Sequence, residues 1–371
     1  MRKIRLIEVW VRLKSPFETS FGRTLERPAI LINLEEKGGE EGWGEVVADS
    51  GPWYSYETNE TAWHIIRDFI APQLYGDIDP QAFRERTLRI RGHNMAKAGV
   101  EMALWDLAAR LSGMPLWKYI GGVRDKIASG VSVGIQPSVE ALVKVVGQYL
   151  EQGYQRIKIK IKPGYDVDPV SLLRKEYGDI PLQVDANAAY TLADMEVFRR
   201  LDRYNLLMIE QPLSWKDLVD HAKLARVIRT PICLDESITD LDDARKAYEL
   251  DSAMIINVKP ARVGGLLETL RIHDFWYKEA GRPIWIGGML ETGVGRGHLV
   301  AAATLPGVRY PNDISASSRY YESDIVEPPW ELNKDGTISA PQRSGIGVEV
   351  LRERIEAMAR RSLEIAVQAP T

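Results

Sequence analysis

The chain holds one cysteine, Cys233, so it cannot form an intrachain disulfide, which points to a reducing compartment. Cys233 lies inside an apolar run and reads as a buried core thiol, not a nucleophile. No segment approaches the roughly 20 apolar residues a membrane helix needs. Met1 to Lys14 carries charges at nearly every second or third position and lacks the apolar stretch of a signal peptide, so a soluble, cytoplasmic protein without membrane partners is expected. Charge of one sign is also missing: 48 basic against 52 acidic residues leave −4, which argues against a nucleic-acid surface or an acidic tail. The 5 histidines show no metal spacing. Gly293-Val-Gly-Arg-Gly297 imitates half of a dinucleotide fingerprint, but His298 stands where a further glycine is needed.

What the sequence does have is a period. Lys160, Asp185, Glu210, Asp235 and Lys259 follow one another at intervals of 25, 25, 25 and 24 residues. Each lies at or near the end of a short apolar run, and a strand with its crossover helix occupies about that length. The repeat therefore reads as successive βα units. Parallel strands end on one face, so the five side chains are expected to converge at the carboxyl ends of barrel strands, where such folds hold their chemistry.

The expected barrel strands are Val131–Ile135, Arg156–Ile161, Leu182–Asp185, Leu206–Glu210, Ile232–Asp235, Met254–Lys259, Pro283–Gly287 and Val308–Tyr310. Eight strands close a barrel. Residues 1–125 break the period and read as an α+β domain: alternating runs at Ile4–Leu13, Ala29–Glu35 and Trp43–Val47 form an antiparallel sheet. Helical patterns follow at about Glu57–Leu74, Pro80–Arg89 and Ala96–Leu111. The barrel is assigned 126–320, and 321–371 is expected to pack back on the first domain through a charged helix near Val348–Ala366. Two segments, Ser15–Thr24 and Ala48–Tyr56, look too long for tight hairpins and are candidates for lids over the barrel mouth.

Asp185, Glu210 and Asp235 are hard oxygen donors, a set that suits Mg²⁺ or Mn²⁺ better than zinc. In Arg156-Ile-Lys-Ile-Lys-Ile-Lys162 the cations share one strand face, which in a barrel opens on the site, so Lys158 and Lys160 should point inward. A like charge and partial desolvation would lower the lysine pKa toward that of a usable base. Lys259, on the sixth strand, lies across the ring from Lys160 on the second, so a flat substrate between them would present one face to each.

The chain resembles the enolase superfamily, muconate-cycloisomerase group, and within it the o-succinylbenzoate synthase / N-succinylamino acid (N-acylamino acid) racemase subfamily. The resemblance is carried by Gly42-Trp-Gly-Glu45, Arg156-Ile-Lys-Ile-Lys160, Val184-Asp-Ala-Asn187, Ile209-Glu-Gln-Pro-Leu213, Pro231-Ile-Cys-Leu-Asp-Glu-Ser237, Asn257-Val-Lys-Pro-Ala-Arg-Val-Gly-Gly265, Gly287-Gly-Met-Leu-Glu-Thr-Gly293 and Asp313-Ile-Ser-Ala-Ser317. It implies a modified TIM (β/α)7β barrel with an N-terminal α+β capping domain completed by the C-terminal segment. Lys160 and Lys259 are then the acid/base pair, Lys158 tunes Lys160, and Asp185, Glu210 and Asp235 bind Mg²⁺, with Mn²⁺ substituting. Arg262 matches the arginine that accompanies racemase activity. Ser132, Asn187, Gly287, Met289, Ser315 and Phe21 are the other substrate contacts it implies, for a small-molecule carboxylate bound by a homo-oligomer. Lys162 and Ala261 depart from the usual pattern.

The implied activity is racemisation of N-succinylamino (N-acylamino) acids, the dehydration step of menaquinone biosynthesis, or both. Rival readings are weaker on specific residues. Acid-sugar dehydratases and mandelate-type racemases place a histidine after strand seven, where this chain has Gly287-Gly-Met289. Dipeptide epimerases carry Asp-x-Asp after strand eight, against Asp313-Ile-Ser315 here. A catalytically silent scaffold would bury five charges to no purpose, which is costly.

Overall fold

The computed structural model describes residues 2–368. Strands β1 (Lys3–Glu18), β2 (Arg23–Glu35) and β3 (Glu41–Val46) form an antiparallel meander. Helix Asn94–Leu111 lies across it, buried along most of its length. Its approach is close because three glycines meet there: a Cβ on Gly44 would stand 2.0 Å from the Gly99 carbonyl oxygen, and one on Gly42 2.2 Å from that of Ala103. This is what the Gly-Trp-Gly-Glu motif does. The helix expected at 57–74 is α-helical only over Asn59–Ile65, then widens into a π-helical turn and ends in a 3₁₀ turn containing Pro72, which lacks the N–H a continuing helix needs.

Seven parallel strands make the barrel: β4 (Gly130–Val133), β5 (Arg156–Lys160), β6 (Leu182–Asp185), β7 (Ile209–Glu210), β8 (Ile232–Leu234), β9 (Ile255–Val258) and β10 (Ile284–Ile286), hydrogen-bonded in chain order. The expected eighth strand at Val308–Tyr310 is reduced to isolated parallel bridges, Ile284 to Val308 on one side and Ser129 to Asn312 on the other. Pro311 interrupts it, yet Arg309 N to Ile284 O (3.0 Å) and Gly130 N to Asn312 O (2.7 Å) still close the ring. Side chains of this ring and its outer helices share one apolar core, and the capping domain has a second. No helix among the described residues is long and apolar enough to cross a membrane.

Two further expectations need correction. The final charged segment is helical only over Arg352–Met358; Ala359–Ala366 is strand β11, paired antiparallel with β1 from Lys3–Ala366 to Val9–Ala359. Its period is two: Leu363 and Ile365 turn to the apolar core of the capping domain while Arg360, Ser362 and Glu364 face out. The segment Ser15–Thr24 is a tight hairpin after all. β1 and β2 stay paired through Glu18 and Arg23, with a turn over 19–22 closed by Thr19 N to Gly22 O (2.9 Å). An irregularity between Arg12 and Phe17 lets the long ribbon bend, and Ile135 N to Glu18 O (2.9 Å) ties its tip to the end of β4.

Candidate active site

Strand register brings the period together. Lys160 of β5 sits beside Asp185 of β6, and Asp185 beside Glu210 of β7. Asp235 and Lys259 follow directly on β8 and β9. One carboxylate oxygen from each of Asp185, Glu210 and Asp235 lies within 4.8 Å of the other two, and the three side chains are buried.

Each carboxylate is held by at least one basic group. Lys160 Nζ donates to Asp185 Oδ2 (2.6 Å) and Asn187 Oδ1 (2.9 Å). Lys158 Nζ reaches Asp185 (3.3 Å), Glu210 (3.0 Å) and Asp313 (2.5 Å). Glu210 also accepts from Gln183 Nε2 (3.0 Å) and Asn257 Nδ2 (2.7 Å). Lys259 Nζ donates to Asp235 Oδ2 (2.8 Å) and Tyr54 Oη (3.2 Å), and the Tyr54 hydroxyl donates to Asp235 Oδ1 (2.9 Å). Arg262 donates to Asp235 as well.

For Lys158 these contacts revise the expectation of a lowered pKa. Burial works to lower Lys158, but Asp313, Glu210 and Asp185 outweigh it and hold the ammonium well above its usual range. Lys259 behaves alike: burial lowers it, and Asp235 with Tyr54 raises it further. Sequence neighbours alone omit the facing carboxylates. Two of the acids shift upward as well. Burial, reinforced by Asp185, pushes Glu210 up to about 8, and burial with Asp235 and Asp185 pushes Glu236 up to about 7. Glu236 Oε2 is buried without a partner. A compact, all-oxygen, buried set of this kind fits a hard divalent cation, and Asp185, Glu210 and Asp235 could hold one.

A cavity of about 830 Å³, counting its open mouth, stands over the triad. Of the residues expected from sequence, Lys158, Lys160, Lys259, Ser132, Asn187, Met289 and Phe21 line it. Both candidate lid segments reach it, the first through Phe17, Thr19, Phe21 and Thr24, the second through Asp49 and Tyr54. Three expected contacts lie behind its wall. Arg262 is spent on Asp235, the Ile238 carbonyl (2.7 Å) and the Asn257 carbonyl (2.6 Å). Gly287 backs onto Asn257, whose Oδ1 a Cβ would approach to 2.1 Å, and the Ser315 hydroxyl turns to the Gly130 carbonyl (3.4 Å).

Sequence reasoning missed Tyr54, Asp313 and Glu236 as site residues. Glu236 follows a metal-ligand candidate and was legible as a second acid in Leu-Asp-Glu-Ser. Asp313, which clamps Lys158 and Arg156, was weighed only as half of an absent Asp-x-Asp. Tyr54 gave no signal beyond an aromatic-rich loop.

Fold and site together define an enolase-type barrel: a capping domain closing the carboxyl-end face of a (β/α)7β ring that carries a carboxylate triad between lysines. Residues 1–121 match the "mandelate racemase / muconate lactonizing enzyme, N-terminal domain" family and 141–354 the "enolase C-terminal domain-like" family. The chain belongs to the mandelate racemase / muconate lactonizing enzyme group of the enolase superfamily. It is 50% identical over 348 residues to an o-succinylbenzoate synthase of Geobacillus kaustophilus, covering 93% of this chain and 92% of that one. It is 48% identical over 350 residues to an N-succinylamino acid racemase of Thermus thermophilus, covering 94% of each. A solved enolase-superfamily structure from Listeria innocua superposes with a TM-score of 0.94 at 40% identity, over 98% of both chains.

Proposed function

We propose that the chain abstracts an α-proton from a carboxylate substrate with two lysines, acting as an N-succinylamino acid (N-acylamino acid) racemase, an o-succinylbenzoate synthase, or both. The observation that carries this reading is the placement of Lys160 and Lys259 at the second and sixth strand ends, both on the cavity wall and flanking one carboxylate triad. Asp185, Glu210 and Asp235 would hold Mg²⁺, with Mn²⁺ as a substitute, and the bound ion would supply charge that stabilises the substrate carboxylate as its α-proton leaves. In racemisation one lysine takes the proton from one face and the other returns a proton to the opposite face. In the dehydration one lysine takes the α-proton and, as its ammonium, gives a proton to the β-hydroxyl, which leaves as water as the C–O bond breaks and the C=C bond forms, so the same residues serve both.

A free dipeptide ammonium would need an unengaged acid near the eighth strand segment, but Asp313 is occupied by Lys158 and Arg156, and Ser315 stands at the second position. The proposal extends to Ser132, Asn187, Met289 and Phe21 as substrate contacts, to Arg262 as support for Asp235, to the two lids as selectors of substrate, and to a cytoplasmic homo-oligomer.

The test is α-proton exchange in D₂O, read by proton NMR with Mg²⁺ present. N-succinyl-phenylalanine should exchange and racemise, while L-Ala-L-Glu should not. Faster exchange of the dipeptide would replace this reading with an epimerase.

A further inference from the structure

The two lysines are held by matching pairs of oxygens that come from different places. An ammonium has three N–H bonds, and an amine acting as base keeps two of them. Lys160 directs two at Asp185 Oδ2 and Asn187 Oδ1. Lys259 directs two at Asp235 Oδ2 and Tyr54 Oη. Lys259 directs its third N–H at Met289 Sδ, 3.7 Å away on the cavity wall, and both ammonium groups line the cavity.

Asn187 belongs to the barrel. Its backbone N–H donates to Asp185 Oδ1 (2.9 Å), and its side-chain amide donates to Glu236 (3.0 Å), so the partner of Lys160 is fixed by the same strand ends that carry the triad. Tyr54 belongs to the capping domain, on the segment 48–56. Its hydroxyl is fully used: it donates to Asp235 Oδ1 (2.9 Å) and accepts from Lys259 (3.2 Å) and Arg262 Nη1 (3.3 Å). Its ring stands 4.6 Å from Lys259 Nζ. Trp53 beside it is 64% exposed, so the segment is anchored at the site by Tyr54 and not by its other aromatic neighbour.

We infer that Tyr54 is a positioning residue for Lys259 and not for Lys160, so that proton transfer on one face of the substrate depends on the second lid beyond what both faces draw from the Tyr54 bond to Asp235, whereas the partner of Lys160 is supplied by the barrel. The inference rests on the two-lysine reading above. Its consequence is chiral: loss of one hydroxyl from the capping domain handicaps one enantiomer more than the other.

Tyr54→Phe keeps the ring and removes the oxygen. With full-length, Mg²⁺-loaded protein, exchange of each N-succinyl-phenylalanine enantiomer in D₂O is measured, and Lys160→Ala and Lys259→Ala establish which hand each lysine serves. In Tyr54→Phe the hand served by Lys259 should lose about 10- to 100-fold more exchange than the other hand, the cost of a misaligned reacting group, while any loss through Asp235 falls on both. Residual exchange of the other hand also reports that the variant is folded. Amide hydrogen exchange over 48–58, measured without substrate or metal, should quicken in the variant. If wild-type protein exchanges neither hand, the proposed function fails. If wild type exchanges both and the variant slows both equally, or neither, or leaves the 48–58 amides unchanged, the role assigned to Tyr54 is overturned.

Discussion

Replacing Glu101 by alanine tests how the capping domain is fastened to the strand that carries Lys259. Glu101 lies on helix Asn94–Leu111, yet its carboxylate accepts from Leu266 N and Leu267 N, both at 2.8 Å, and from Trp105 Nε1 at 2.7 Å. Helix Leu266–His273 has no cap of its own, because the residue before it is Gly265, at φ 127, where a Cβ would meet Glu101 Oε2 at 2.2 Å. Alanine strands two buried backbone donors at about 1–3 kcal/mol each, which overlaps the usual cap loss, so about 3–5 kcal/mol is expected when the group is at its most stabilising. Burial is the dominant influence on Glu101 and, against the three N–H bonds, pushes its pKa from 4.5 up to about 7. The folded chain thus keeps a proton that the unfolded chain releases across this window. The stability Glu101 contributes is full below pH 4.5 and declines as pH rises through 7, by about 2–3 kcal/mol between pH 5 and pH 8. For 371 residues the unfolding entropy is about 0.8 kcal/mol/K, so Glu101→Ala should lower Tm by about 4–6 °C at pH 5 and by only about 1–3 °C at pH 8. Differential scanning calorimetry at the two pH values reads both. A loss under about 1 °C at pH 5, or a loss that grows with pH, would refute the reasoning.

Lys160→Ala and Lys259→Ala should each abolish racemisation while leaving Tm near that of wild type, each keeping α-proton exchange on opposite hands; full racemisation by either variant contradicts a two-base site. Chelation, or Asp235→Asn, should suppress turnover strongly, and Mg²⁺ or Mn²⁺ should restore the chelated wild type, so undiminished turnover by demetallated protein rules out the metal's role. Truncation after Met358 removes β11 and bares the edge of β1 over Lys3–Val9, so light scattering should detect association and Tm should fall. A monodisperse truncated protein of unchanged Tm would show that β11 is dispensable.

The barrel and its five charged residues were legible in the sequence because a βα repeat returns each strand end to the same face. Register between neighbours then follows from chain order, so a period of 25 is also a statement about space. The oxygen-only triad and the inward lysines needed nothing more. Other features were decided by packing between segments far apart in the chain. Tyr54 meets Lys259 across 205 positions, and Glu101 meets Leu266 across 165. No local pattern encodes such a contact. Arg262 sits three residues past Lys259 and looked like a substrate ligand, but the direction of its side chain, onto Asp235 and two carbonyls, depends on how the short helix Pro260–Val263 turns away from the cavity. The charged tail read as a helix because its arginines and glutamate mask a period of two. It becomes a strand where the open edge of β1 offers hydrogen bonds that a lone segment lacks.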